Sequence, residues 1–142
     1  MYLKEKIKFV LYFVVYYFVL LVFGLYVVGP FLMDLQYRLL DLIFKDISTQ
    51  LVFVAHCSGI ISIVTYLSVV LALLTINKRV IFKKIVTSVL LLLLYNLFRL
   101  SVIVWVAKKS IEQANTTHVV SWFLVFGLLI LLILKDFKKI KI

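Results

Sequence analysis

Cysteine occurs once in this chain, proline once, glycine four times and histidine twice. Each shortage removes a class of explanation. A lone cysteine, Cys57, excludes an internal disulfide framework. One Cys and two His cannot build a closed four-ligand zinc site, so neither a metal nor an organic cofactor is expected. So little Pro and Gly leaves almost no linker or disorder, and no internal repeat or low-complexity segment is evident. Strands of alternating polarity are missing as well, which argues against a lipid-facing barrel.

What the chain has in quantity is apolar residues. It is 65% hydrophobic with a mean hydropathy of +1.20, whereas soluble domains hold about 45–50% apolar residues. A 142-residue core cannot hide that much apolar surface. Lipid must solvate it. The expected fold is an all-α membrane protein, a single transmembrane domain over residues 1–142. Four transmembrane helices are expected at about residues 7–28, 51–76, 85–107 and 118–134, because about 20 helical residues cross a hydrocarbon core of about 30 Å. Lys4, Lys6 and Lys8 ahead of the first run superficially resemble a signal peptide. That run is too long for one, and Gly29-Pro30 offers no small-x-small cleavage site, so it is read as a retained span.

The net charge of +10 raises the question of nucleic acid. Its cations cluster where apolar runs stop and form no stripe beside stacking aromatics, so no nucleic-acid partner is expected. Their distribution instead sets orientation. One side collects Lys4, Lys6, Lys8, Lys78, Arg79, Lys83, Lys84, Lys135, Lys138, Lys139 and Lys141, and the other only Arg38, Lys45, Lys108 and Lys109. This bias predicts a multi-pass cell-membrane protein with both termini cytoplasmic.

Between the first two spans, residues 31–50 open with a proline suited to a helix start. Asp34, Arg38, Asp41 and Lys45 share one helical face with opposite charges as neighbours, while Leu32, Leu35, Leu39, Leu42 and Ile43 supply an apolar face. A solvated connector helix and an interfacial amphipathic helix bordering a site both fit.

Three residues stand out against the apolar background. Arg99 lies inside the third span, about 12 Å from its outer end at helical rise. An intramembrane arginine is costly and normally faces protein or water. It either snorkels to the interface or bonds carbonyls, or it belongs to a polar site, which Asn96 on the same face favours. Cys57, in Ala55-His56-Cys57-Ser58-Gly59, is by default a small inert hydrophobe beside small residues that permit close packing. As a nucleophile it would act as the thiolate, which a nearby cation favours. His118 opens the fourth span as an interfacial anchor, or serves as a general acid and base. His56, adjacent to Cys57, would point about 100° away on a helix and is the poorer partner. Consecutive spans thus place Cys, Arg and His at similar depth on the outer side, the arrangement of a nucleophile, an oxyanion stabiliser and a base.

With these residues in place, the chain resembles the exosortase and archaeosortase family of membrane-embedded cysteine transpeptidases. Cys57-Ser58-Gly59 resembles that family's Cys-Ser-Gly or Cys-Thr-Gly nucleophile motif. Asn96-Leu97-Phe98-Arg99 is similar to its Asn-x-x-Arg motif. His118-Val119-Val120-Ser121-Trp122, followed by Phe126, looks like its His motif. The likeness covers about residues 55–127, and the chain departs from the pattern at Ala55, where an acid is common, and at Ser121, where glycine is common. The resemblance implies Cys57 as nucleophile, His118 as acid and base and Arg99 as oxyanion stabiliser, supported by Ser58, Gly59 and Asn96. It implies substrate proteins that end in a short motif, an apolar helix and a basic tail. These would be cleaved outside the cytoplasm and transferred through a thioester to a lipid or envelope acceptor. Two other classes compete: a noncatalytic membrane subunit whose polar residues serve packing, and a small transporter. The transporter would need a polar path through both leaflets, where the inner one offers little beyond Ser68 and Thr75.

Overall fold

A computed structural model describes residues 3–45, 47, 55–76 and 80–137. The described chain is helical, and three of its helical stretches are long and apolar enough to cross a membrane: Leu3–Phe44, Phe82–Ala107 and Ile111–Asp136. The first comprises α1 (Leu3–Phe23), a π-helical turn (Gly24–Val28) and α2 (Gly29–Phe44). A short 3-10 turn (Ala55–Ser58) precedes α3 (Ile60–Thr75), followed by α4 (Phe82–Ala107) and α5 (Ile111–Phe137).

The expected break at Gly29-Pro30 does not occur. Proline lacks an N–H and crowds the preceding turn, so it normally interrupts a helix. Here the π turn intervenes: the Gly29 N–H reaches back to the Gly24 carbonyl, and Pro30 falls in the first turn of α2, where an N–H is dispensable. Gly24 is also where this helix approaches α3, since a Cβ there would meet Ile60 and Val64 at 3.0 Å. A straight axis would carry Gln36 about 18 Å beyond Gly24, yet Gln36 bonds the carbonyl of Ser58. So α2 leans back over the Cys57 turn. It buries Met33, Gln36 and Leu40. Of the expected apolar face, Leu35, Leu39, Leu42 and Ile43 are exposed and Leu32 is half-buried. Asp34 and Arg38 pair as expected, at 2.9 Å on the surface. Residues 46 and 48–50 of the expected connector lie outside the described residues.

Two other boundaries differ. The second span was expected to be helical from residue 51. Residues 51–54 lie outside the described residues, and the regular helix starts at Ile60 because Gly59, at φ +81°, leaves the right-handed region. Cys57 therefore sits in the short 3-10 turn that precedes α3 and not in the α-helix itself. The helix expected to start at His118 starts at Ile111. The Ser110 hydroxyl accepts the Gln113 N–H at 3.3 Å, satisfying an otherwise orphaned donor.

The middle of the bundle is α3, which buries ten residues against its neighbours and touches α1, α4 and α5. By contrast α1 buries none of its own: Phe9 and Phe13 pack partly against the core, while Ile7, Val10, Leu11, Val14, Val15 and Phe18 face outward, as lipid contact demands. A short loop joins α4 and α5, which pack together as neighbours. Apolar packing forms two clusters along α4. One, near Lys108, includes Leu40, Cys57, Leu100 and Val104. The other, toward Asp136, includes Tyr66, Leu73, Leu92 and Leu129. Asn96 and Arg99 occupy the polar layer between them.

Candidate functional site

The site is built around the turn that carries Cys57. Gly59 is required there twice over: its φ of +81° is left-handed, and a Cβ would sit 2.9 Å from Cγ of Asn96. The close approach lets α4 grip the turn from the side. Asn96 Nδ2 donates to the Cys57 carbonyl at 2.8 Å and to Gln36 Oε1 at 3.1 Å. Arg99 Nη2 donates to the same Cys57 carbonyl at 3.2 Å. Gln36 Nε2 in turn donates to the Ser58 carbonyl at 3.2 Å, and the Ile60 N–H reaches the Ser58 hydroxyl at 3.4 Å. Two carbonyls of one turn are thus held by side chains from α2 and α4. Ser58, Asn96, Gln36 and Arg99 are all buried, and Cys57 nearly so.

Arg99 is 3% exposed. Its guanidinium carbon lies 4.9 Å from the centroid of the Trp122 ring on α5, a cation–π contact. Trp122 Nε1 donates to His118 Nε2 at 3.2 Å, one helical turn back. Arg99 Nε and Nη1 are buried with no hydrogen-bond partner among the described residues. Leaving a buried donor unmade costs about 1–3 kcal/mol, so such groups in a native fold call for an explanation. Arg99 also borders a cavity of about 260 Å³ between α4 and α5, where Tyr95, Phe98 and Leu124 supply apolar walls and Thr117 and Ser121 supply hydroxyls.

Cys57, Ser58, Gly59, Asn96 and Arg99, read from the sequence as site residues, therefore form one connected unit. His118 joins it indirectly, through Trp122 and Arg99. Among the described residues it makes no hydrogen bond to the Cys57 thiol. The side chain of His56 lies outside the described residues. Gln36 was missed. Its only signal was its register with Met33 and Leu40, the positions α2 buries. The pairing of Trp122 with His118 was readable from their i, i+4 spacing. Among the described residues no group of three His, Cys, Asp or Glu converges to hold a metal.

Comparison with known proteins adds no relative: no family model, no curated protein and no solved structure matches the chain.

Proposed function

We propose that the protein is a membrane-embedded cysteine peptidase or transpeptidase of the exosortase and archaeosortase kind, acting on proteins whose C-terminal sorting signal ends in an apolar helix and a basic tail. One observation carries the reading. A buried arginine holds the backbone of the lone cysteine with one nitrogen and keeps two further donors without a partner among the described residues, in a side chain that also borders a cavity. Donors fixed in a low-dielectric site, needing no rearrangement, are what a developing oxyanion requires.

In this reading the chain crosses the membrane four times with both termini in the cytoplasm, and α2 lies at the outer interface. The Cys57 thiolate attacks the scissile carbonyl, forming the C–S bond, while Arg99 Nε and Nη1 accept the charge that develops on oxygen. His118, having taken the proton of the Cys57 thiol, delivers it to the departing amine as the C–N bond breaks, which leaves a thioester on Cys57. To do so its Nε2 exchanges the Trp122 hydrogen bond for one toward the reacting groups. A second nucleophile, on a lipid or an envelope polymer, then releases the acyl group.

The His118–Trp122 bond favours a second reading, in which these polar residues only pack a noncatalytic membrane subunit. The two separate on Cys57→Ala, tested with a co-expressed reporter protein ending in a motif, an apolar helix and a basic tail. The enzyme reading expects cleavage to stop while the variant accumulates normally, and a hydroxylamine-sensitive adduct to appear only with Cys57 present. Unchanged cleavage would leave the subunit reading standing.

A further inference from the structure

Cys57 is 8% exposed, so a reagent reaches its thiol only if something moves. The element lying over it is α2. Met33 and Leu40 of α2 join the apolar cluster that holds Cys57, while its Asp34 and Arg38 pair with each other on the surface. At its near end α2 leaves the π turn at Gly24–Val28. Long helices bend at such turns, and Pro30 just beyond brings no N–H to the helical ladder. At its far end the last carbonyls of α2 have no helical donor of their own. Lys108, at the end of α4, supplies one. Its Nζ donates to the Phe44 carbonyl at 2.5 Å and to the Lys45 carbonyl at 3.4 Å, and lies 5.6 Å from the Phe44 ring centroid. A cation is favoured at a helix C-terminus. Lys45 itself, at φ +39°, is the one non-glycine residue with positive φ among the described residues. Strained backbone persists only where its surroundings enforce it, and here the Lys108 contact does so.

We infer that α2 is a hinged cover over the cysteine turn: it pivots at the π turn, is pinned at its middle by Gln36 on the Ser58 carbonyl, and is latched at its end by Lys108. When the latch releases, the strain at Lys45 relaxes and the far end of α2 lifts, taking Leu40 off the cluster that seals the thiol. The pivot makes the movement largest at the Phe44 end and smallest near Pro30. This device stands apart from the peptidase reading, because it governs access to the thiol whatever the thiol then does.

The test is Lys108→Met in the full chain in lipid nanodiscs, read by how fast a water-soluble maleimide modifies Cys57, the chain's one cysteine. Removing a nearby cation by itself slows a thiol, because it disfavours the thiolate. A released cover predicts the opposite sign, an increase of roughly tenfold for the loss of a charge-assisted bond. Lys109→Met removes the same charge from a side chain that sits 4.0 Å from the Trp105 ring centroid, and should leave the rate unchanged. Spin-label distances in a Cys57→Ser background then separate opening from general loosening. With one label at Leu94→Cys on α4, Lys108→Met should add a longer distance to a label at Leu42→Cys and a smaller change at Leu35→Cys, nearer the pivot. A label at Leu131→Cys on α5 should not move, and all four positions are exposed. An unchanged or slower Cys57 rate, equal shifts at Leu35 and Leu42, or a shift at Leu131 would each overturn the inference.

Discussion

The bundle holds two buried polar clusters along α4, one at Ser88 and one at Asn96 and Arg99, and they are finished differently. Toward the Asp136 end, one carboxylate oxygen accepts both the Tyr66 hydroxyl at 2.6 Å and the Ser88 hydroxyl at 2.5 Å. Lys84 Nζ adds a bond to the Asp136 carbonyl at 3.4 Å. Donors there meet acceptors, and α3, α4 and α5 are tied together. Toward the Lys108 end the arrangement stops short of completion: the buried side-chain atoms without a partner among the described residues are Arg99 Nε and Nη1. A finished network fixes helices against one another. An unfinished one stores hydrogen-bonding capacity for something that arrives later.

Substitutions should widen or erase that contrast. Gly59→Ala is expected to have the largest effect, about 3 kcal/mol of destabilisation, from left-handed strain plus the collision with Asn96. Thermal unfolding in detergent would show it, together with faster alkylation of Cys57. Asp136→Ala should cost about 2–3 kcal/mol in the same assay, because it leaves two buried hydroxyls without their acceptor. Its effect on Cys57 alkylation should be small, since the two clusters lie apart along α4. Gln36→Leu should cost about 1–2 kcal/mol and loosen the turn, raising the alkylation rate, because the Ser58 carbonyl loses its Gln36 donor. Arg99→Met should change stability least, within about 1 kcal/mol or toward greater stability, because it removes an incompletely paired buried cation while Asn96 still holds the Cys57 carbonyl. Reporter cleavage should nevertheless vanish. An Arg99→Met protein that unfolds as readily as Asp136→Ala would make both clusters structural and end the distinction.

Much of this was legible in the sequence because long apolar runs and their charged flanks are local signals. The helical class, the Ala107 end of α4 and the Cys57, Asn96 and Arg99 grouping depended on little else. The missed features depend on contacts between segments. Pro30 does start α2, but the continuity of the helix through Gly29-Pro30 was missed because nothing in its neighbourhood announces a π turn, which coincides with the packing of Gly24 on Ile60 and Val64. Gln36 was overlooked because Asp34, Arg38, Asp41 and Lys45 drew attention to the solvent-facing side of the same helix. The early start of α5 was written in Ser110 and Gln113, but the apolar window that defines a span does not include them. The bond between His118 and Trp122 shows the limit of a motif: it placed the imidazole near Arg99 and left its hydrogen-bonding partner unspecified.

The length of α3 has a consequence for the surrounding lipid. At 16 residues it extends about 24 Å, less than the roughly 30 Å of a typical hydrocarbon core, whereas α4 beside it has 26 residues. In the four-span reading proposed above, a bilayer answers such a mismatch by thinning locally or by bringing polar headgroups inward. The dip would fall at Gly59, where α3 begins. Acyl-chain length should therefore tune how wet the cysteine turn is, with short-chain lipids opening it to water and long-chain lipids sealing it.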